Sequence, residues 1–226
     1  ALSGLSHYVS ANGRESHRLV TSNTYIESLD QVTDREIRSF IIRQLEVIGQ
    51  DEAVAKLSTY LNNESLSGPA ARALASINSS AAQEAIIKAL KSDIKGKSKQ
   101  DVILAVAEMQ IAGTENMLKT LLRGADANLN KTVIYALSRV GTNASLSDLA
   151  LAAAKDNYAM EKDGANEAYI ALIKRVLSQG NVKDAEKAAK DLMKKAEKAG
   201  QSQTRIAALE ILMAVKPTET LKLVQS

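Results

Sequence analysis

The stretch "RALASINSSAAQEAIIKAL", residues 72–90, is written again sixty-three residues later as "YALSRVGTNASLSDLALAA", residues 135–153. Ala73, Leu74, Ile77, Ala81, Ile86 and Ala89 stand opposite Ala136, Leu137, Val140, Ala144, Leu149 and Ala152. Each copy has an apolar i, i+3, i+4 stripe, a short polar break and a second stripe, the pattern of two amphipathic helices joined by a turn. One such hairpin cannot bury both stripes, whereas a stack of hairpins can. The repetition therefore predicts a solenoid.

The same grammar extends in both directions. Leu45, Leu74, Val106, Leu137, Leu172 and Leu209 mark successive units at spacings of 29, 32, 31, 35 and 37 residues. Between the stripes lie Gly49-Gln50-Asp51, Asn78-Ser79-Ser80, Gly113-Thr114, Gly141-Thr142-Asn143 and Gly180-Asn181. Gly or Asn is expected to take the left-handed position that closes one helix, with Ser, Thr, Asn or Asp capping the next. The predicted pairs are 34–48 with 51–62, 67–77 with 79–91, 99–110 with 114–123, 129–140 with 145–155, 164–178 with 181–198, and 202–214 with 217–225. Residues 1–33 fit less well. There "GRESHRLVTSNTYIESLDQV" reads as one helix carrying Leu19, Val20, Ile26, Leu29 and Val32, a divergent first unit or cap. The rest, 34–226, reads as a repeat array continuous with it. The end, "LKLVQS", stops on an uncovered stripe, and a further domain is expected beyond it.

Composition agrees with helices throughout. Apolar residues make up 45% of the 226, but aromatics only 3%, with no Trp and a single Phe, so the core must be aliphatic. Only Pro69 and Pro217 interrupt a chain rich in helix formers. The expected fold is all-α, a right-handed α-α superhelix of about six hairpins.

Chemistry is sparse in this sequence. The absence of Cys excludes disulfides, thiol catalysis and thiolate metal sites. The two histidines, His7 and His17, are not at the i, i+4 spacing that puts two ligands on one helix face. No Gly-x-x-x-x-Gly-Lys-Ser/Thr loop occurs, and no Ser has a His/Asp constellation near it in sequence. No catalytic, cofactor or metal site is expected. A net charge of +3 is too small to imply a polyanion partner, and no apolar run approaches the ~18–20 residues of a membrane span. The start, "ALSGLSHYVSANG", lacks the charged and apolar regions of a signal peptide.

Three segments stand out. "KALKSDIKGKSK", 88–99, holds Lys88, Lys91, Lys95, Lys97 and Lys99 against Asp93, and reads either as a weak polyanion patch or as a solvated, flexible loop. The helix 181–198 carries six Lys against four acids, with Glu186–Lys190 and Asp191–Lys195 at i, i+4. It is expected to be solvated and longer than the other second helices. The connection "KDNYAMEKDGANEAY", 155–169, gathers Tyr158, Met160, Asp163 and Tyr169, with Tyr135 in the preceding unit. These read as a recognition spot or as core filling.

The pattern "Arg…Ala-Leu-x-x-Ile/Val-Gly…Ala…Leu" resembles HEAT repeats, in particular the short HEAT-like kind of bacterial scaffold proteins. It is carried by Arg38, Leu45, Ile48, Gly49, Ala53 and Leu57, by Arg72 to Leu90, and by Ala136 to Leu149. Pro69 matches the family's Pro near a first helix. The resemblance covers roughly 34–226, and the Trp, Leu-Gly and closing Pro pattern of a tetratricopeptide array is missing. It implies an armadillo-type solenoid whose second helices line a concave surface for a protein or peptide. That surface would include Lys56, Tyr60, Glu84, Lys88, Lys119, Arg123 and Asp148, with Lys88, Lys119 and Arg123 as a basic strip ending at Tyr158. The alternative it implies is a repeat domain that docks or orients a neighbouring, sugar-hydrolase-like catalytic domain in an exported bacterial protein. The setting would then be periplasm or cell envelope, against the cytoplasm. Departures from the family's enzymes are plain. No His-Glu dipeptide supplies a di-iron site, and with no Trp and one Phe the aromatics that HEAT-like DNA glycosylases use are poorly supplied, which argues against nucleic acid.

Overall fold

The computed structural model describes residues 1–124, 126–161, 164–217 and 220, and among them every regular element is helical. The chain divides into two compact units, Ala1–Ile111 and Ala112–Ser226. The first contains α1 (Leu2–Val9), α2 (Glu15–Gln31), α3 (Arg35–Ile48), α4 (Asp51–Ser58), α5 (Ser67–Ile77), α6 (Ser80–Lys91) and α7 (Gly96–Glu108). The second contains α8 (Glu115–Leu122), α9 (Ala127–Val140), a 3-10 turn Asn143–Ser145, α10 (Leu146–Lys155), α11 (Ala165–Ser178), α12 (Val182–Lys198) and α13 (Ser202–Val215).

Each unit is a two-row stack. In the first, α1, α3, α5 and α7 pack in succession, and α2, α4 and α6 form the facing row. In the second, α9, α11 and α13 pack in succession while α10 and α12 both lie on α11. This is the hairpin stacking of an α-solenoid. The expected pair 99–110 with 114–123 is divided between the units, since α7 belongs to the first and α8 to the second. Of the helix expected over 217–225, only Pro217 and Thr220 are among the described residues.

The sixty-three-residue repetition persists in burial. Ala73 and Ala136, Leu74 and Leu137, and Ile86 and Leu149 are all completely buried. Ala81 and Ala144 are both exposed, and Ala89 and Ala152 both half-buried. Only the pair Ile77 and Val140 differs, the first half-buried and the second buried. Each copy thus turns nearly the same positions inward within its own unit.

Caps set where the helices begin. Asp34 Oδ1 accepts from Ile37 N–H at 2.9 Å, Asp126 Oδ1 from Leu129 N–H at 2.9 Å, and Ser79 Oγ from Ala82 N–H at 3.2 Å. Each satisfies one of the free N–H groups of a first turn. At the other end, Asn78, Gly113 and Gly180 take the expected left-handed conformation, with φ of 46°, 78° and 84°. Gly49 and Gly141 do not; both have φ −67° with extended ψ. Space makes glycine necessary there. A Cβ would stand 2.5 Å from Leu45 O at Gly49 and 2.4 Å from Leu137 O at Gly141, with Leu172 Cδ1 3.2 Å away in the second case. Gly141→Ala is therefore expected to cost about 1–3 kcal/mol by overpacking, checked by urea unfolding. A variant as stable as the parent would show that the turn opens freely.

α2 turns inward only part of the stripe read from its sequence, with Leu29 buried and Ile26 and Val32 half-buried. α2 buries Ser22, Tyr25 and Leu29, an i, i+3, i+7 stripe, and leaves Leu19 and Val20 exposed. Tyr25 decides this register. Its hydroxyl donates to Leu2 O at 3.2 Å and stands 3.2 Å from Ser6 Oγ, so its polar tip is satisfied only against α1. Among the described residues no helix is long and apolar enough to cross a membrane.

Candidate functional site

Grooves run between successive second helices within each unit. In the first unit a cavity of about 470 Å³ lies between the end of α4 and α6, with Ala81, Ala85 and Ala89 on one side and Glu84 and Lys88 at the rim. The alanines recur every four residues, one above another on α6, and their small side chains leave the opening. In the second unit a cavity of about 540 Å³ lies between α10 and α12, over Tyr169 of α11. A third, of about 520 Å³, is bounded by α9, α10 and the connection that follows α10, with Ile134, Lys131, Leu151 and Glu161 on its walls.

The six residues singled out from the sequence have different surroundings. Lys56 reaches from α4 to Asp30 of α2, an ion pair that leaves its side chain largely covered. Tyr60 Oη donates to Leu29 O at 3.5 Å, again linking α4's end to α2. Lys119 donates to Ala144 O at 2.7 Å and pairs with Asp148 of α10 at 3.0 Å. Lys88 and Arg123 are exposed, Lys88 on the wall of the α4–α6 groove and Arg123 at the end of α8. Tyr158 is half-buried. In the first unit Lys56 and Tyr60 thus join neighbouring second helices, as Lys119 does in the second. Lys88 and Arg123 are the exposed basic side chains of the set.

The basic segment 88–99 is largely tied up. Lys99 is 8% exposed and donates to Leu90 O at 2.6 Å and Ser92 O at 3.1 Å. A cation placed on the last carbonyls of α6 satisfies orphan acceptors and opposes the helix dipole. Burial lowers the Lys99 pKa from its ordinary 10.5, with Asp93 opposing. Lys97 bonds Asp101 at 2.7 Å, and Asp101 accepts from Ser67 Oγ at 2.6 Å. The segment is not a flexible loop, because α7 starts at Gly96 and buries Ser98.

The connection after α10 is held from within. Asn157 and Tyr158 have φ of 49° and 56°, left-handed at two successive non-glycine residues. Tyr158 N–H donates to Ala153 O at 2.9 Å, and its carbonyl accepts from Thr204 Oγ1 at 2.7 Å. Asn166, completely buried, donates to Thr204 Oγ1 at 2.7 Å and to Met160 Sδ at 3.3 Å. Asp163 lies outside the described residues. Tyr169, grouped with this segment in the sequence, is instead 4% exposed beneath α10 and α12.

Charged residues of the helix read from the sequence as a solvated face line the α10–α12 groove. Asp184, Lys187, Asp191 and Lys195 face it from α12, and Leu146, Ala150, Leu151 and Ala154 from α10. The charge alternation was visible in the sequence, but Asp191–Lys195 reads there as an internal pair. In the structure Glu186–Lys190 closes at 2.6 Å, whereas Asp191 and Lys195 make no ion pair among the described residues. At 17 residues α12 is longer than α4, α6, α8 and α10, as expected.

His7 and His17 are both exposed. Among the described residues, no three His, Cys, Asp or Glu side chains converge as a metal site would require. No curated protein matches the chain. Residues 70–92, most of α5 and all of α6, match the family model described as PBS lyase HEAT-like repeat. That match falls on the first of the two sixty-three-residue copies, where Ala73, Leu74 and Ile86 are completely buried. Over these residues the chain is similar to a HEAT-like repeat.

Proposed function

We propose that this chain is a non-catalytic scaffold that binds a protein or peptide along the faces of its second helices. The observation that carries the reading is the position of the α4–α6 and α10–α12 grooves, each between successive second helices of one unit. Mixed charge at their rims, Glu84 with Lys88 and Asp191 with Lys195, suits a polypeptide better than a uniform polyanion. A nucleic acid would need more free cations than a net charge of +3 with Lys97 and Lys99 engaged supplies. The reading includes no catalysis by the chain itself. Turnover by the isolated chain, abolished by one substitution within it, would overturn that part of the reading.

Photo-crosslinking is the test. A benzophenone side chain at Ala85 or Ala150 is expected to capture the partner, and the same group at Arg72 or Arg139, on first helices, is not. Charge reversal is informative at Lys88 and Arg123, which are exposed. Lys119 is a poor choice, because its loss also removes the tie to Asp148. Lys88→Glu and Arg123→Glu are each expected to weaken binding several-fold, more so at low salt, where screening is least. Capture only from the first-helix positions would end the proposal.

A further inference from the structure

We propose that the α10–α12 groove seats an amphipathic α-helix of a partner protein, its charged edge along α12 and its apolar edge on α10. This rests on the scaffold reading and names the occupant.

Spacing selects a helix. Asp184, Lys187, Asp191 and Lys195 lie 3, 4 and 4 residues apart, so at 1.5 Å per residue the alternating charges span about 16 Å. At about 100° per residue they stay within one narrow stripe. Same-side residues of an extended peptide recur every ~6.6 Å, and over three steps they drift about 3 Å out of register with this row. A second helix offers the same 3 and 4 residue steps and so can match all four charges with the opposite sign. The row is also available. Lys187, Asp191 and Lys195 make no ion pair among the described residues, although acids and bases adjoin along the stripe. Asp184 accepts one hydrogen bond, from Asn143 Nδ2 at 2.6 Å.

The opposite wall calls for apolar side chains. Leu151 is 67% exposed, beside Leu146, Ala150 and Ala154, and a leucine so placed gains by being covered. Under both walls, the Tyr169 hydroxyl has no hydrogen-bond partner among the described residues, although the residue is nearly buried. The hydroxyl oxygen itself opens to the groove and is not among the buried polar atoms left without a partner. Burial, with Asp191 and Tyr158 adding to it, pushes the Tyr169 pKa up to about 12, so the group remains a donor. A carboxylate or carboxamide on the incoming helix supplies the acceptor.

The test uses a display library of random peptides of about twenty residues, panned on the whole chain. Enriched sequences are expected to alternate acids and bases at steps of 3 and 4 beside a Leu/Ile stripe, and to become helical when bound. The swap D191K/K195E keeps net charge and the i, i+4 spacing. It is expected to weaken these binders about tenfold, and Tyr169→Phe about fivefold, with the circular dichroism of the chain unchanged. Binders sensitive to the swap but lacking helical spacing would overturn the helical occupant. Binders indifferent to the swap and to Leu151→Glu would overturn the groove while leaving the scaffold reading in place. A library from which nothing enriches would count against both.

Discussion

Leu137→Ala is expected to destabilise the protein by about 2–5 kcal/mol, and Leu74→Ala by a similar amount. Both side chains are completely buried, and both occupy the position the repetition keeps as leucine in each copy. Removing three heavy atoms there loses their transfer free energy and leaves a cavity that the helix rows on either side close only in part. α9 carries Leu137 between α8 and α11, so collapse from one side opens a gap on the other. Leu151→Ala is the control. That leucine lies on the same unit but is 67% exposed, and its truncation is expected to stay within about 0.5 kcal/mol. Denaturant unfolding of the three variants beside the parent measures the contrast. Equal losses at Leu137 and Leu151 would mean that the assigned inward faces are wrong.

The hairpins were legible because periodicity is local. Whether Leu74 faces a core depends on Ala70, Ala71 and Ile77, all within a turn or two, and no distant residue is needed to infer it. The row order followed from the same stripes, since each hairpin has two and only stacking buries both. Partners from other hairpins were not legible. Lys56 and Lys119 read as groove residues because nothing near them in sequence shows that Asp30 and Asp148 await them on neighbouring second helices. Lys99 fails for a related reason. A lysine three residues past a glycine reads as solvated until the carbonyls of Leu90 and Ser92 are seen to turn back over it. Gly49 and Gly141 were recognised as helix ends but given the wrong backbone, because composition marks the need for glycine and not whether φ or space imposes it. Tyr25 overrode a leucine and a valine in setting the α2 face, because a buried hydroxyl must also find its acceptor.

Glu115→Ala is expected to be the other large loss, about 2–4 kcal/mol, although no apolar contact is at stake. Glu115 opens α8 and reaches across to the turn that starts α10. Its Oε1 accepts from Thr142 N–H at 2.9 Å and from the Ser145 hydroxyl, and its Oε2 accepts from Thr142 Oγ1 at 2.9 Å. One carboxylate therefore satisfies donors at a helix start that would otherwise be left half-buried, and it sits where the helix dipole favours an anion. Alanine strands all three donors. Glutamine keeps the shape and one acceptor oxygen, so Glu115→Gln should lose less and isolates the charge. Burial works against ionisation, but the Ser145 hydroxyl, the Thr142 N–H and hydroxyl, and the nearby Lys119 outweigh it, and the pKa falls below its ordinary 4.5. With the folded value depressed, the unfolded chain binds the proton more readily. The stabilisation is thus complete above about pH 4.5 and is lost as pH falls through the lower, folded value. Glu52 and Glu186 are also lowered, so acid weakens the parent through several groups at once. The difference between the parent and Glu115→Gln removes those shared contributions. Urea titrations of the pair from pH 7 to pH 3 should show a gap that is constant down to about pH 5 and then narrows. A gap unchanged across that range would mean that the Glu115 charge contributes nothing, and that the α8–α10 junction is held by packing alone.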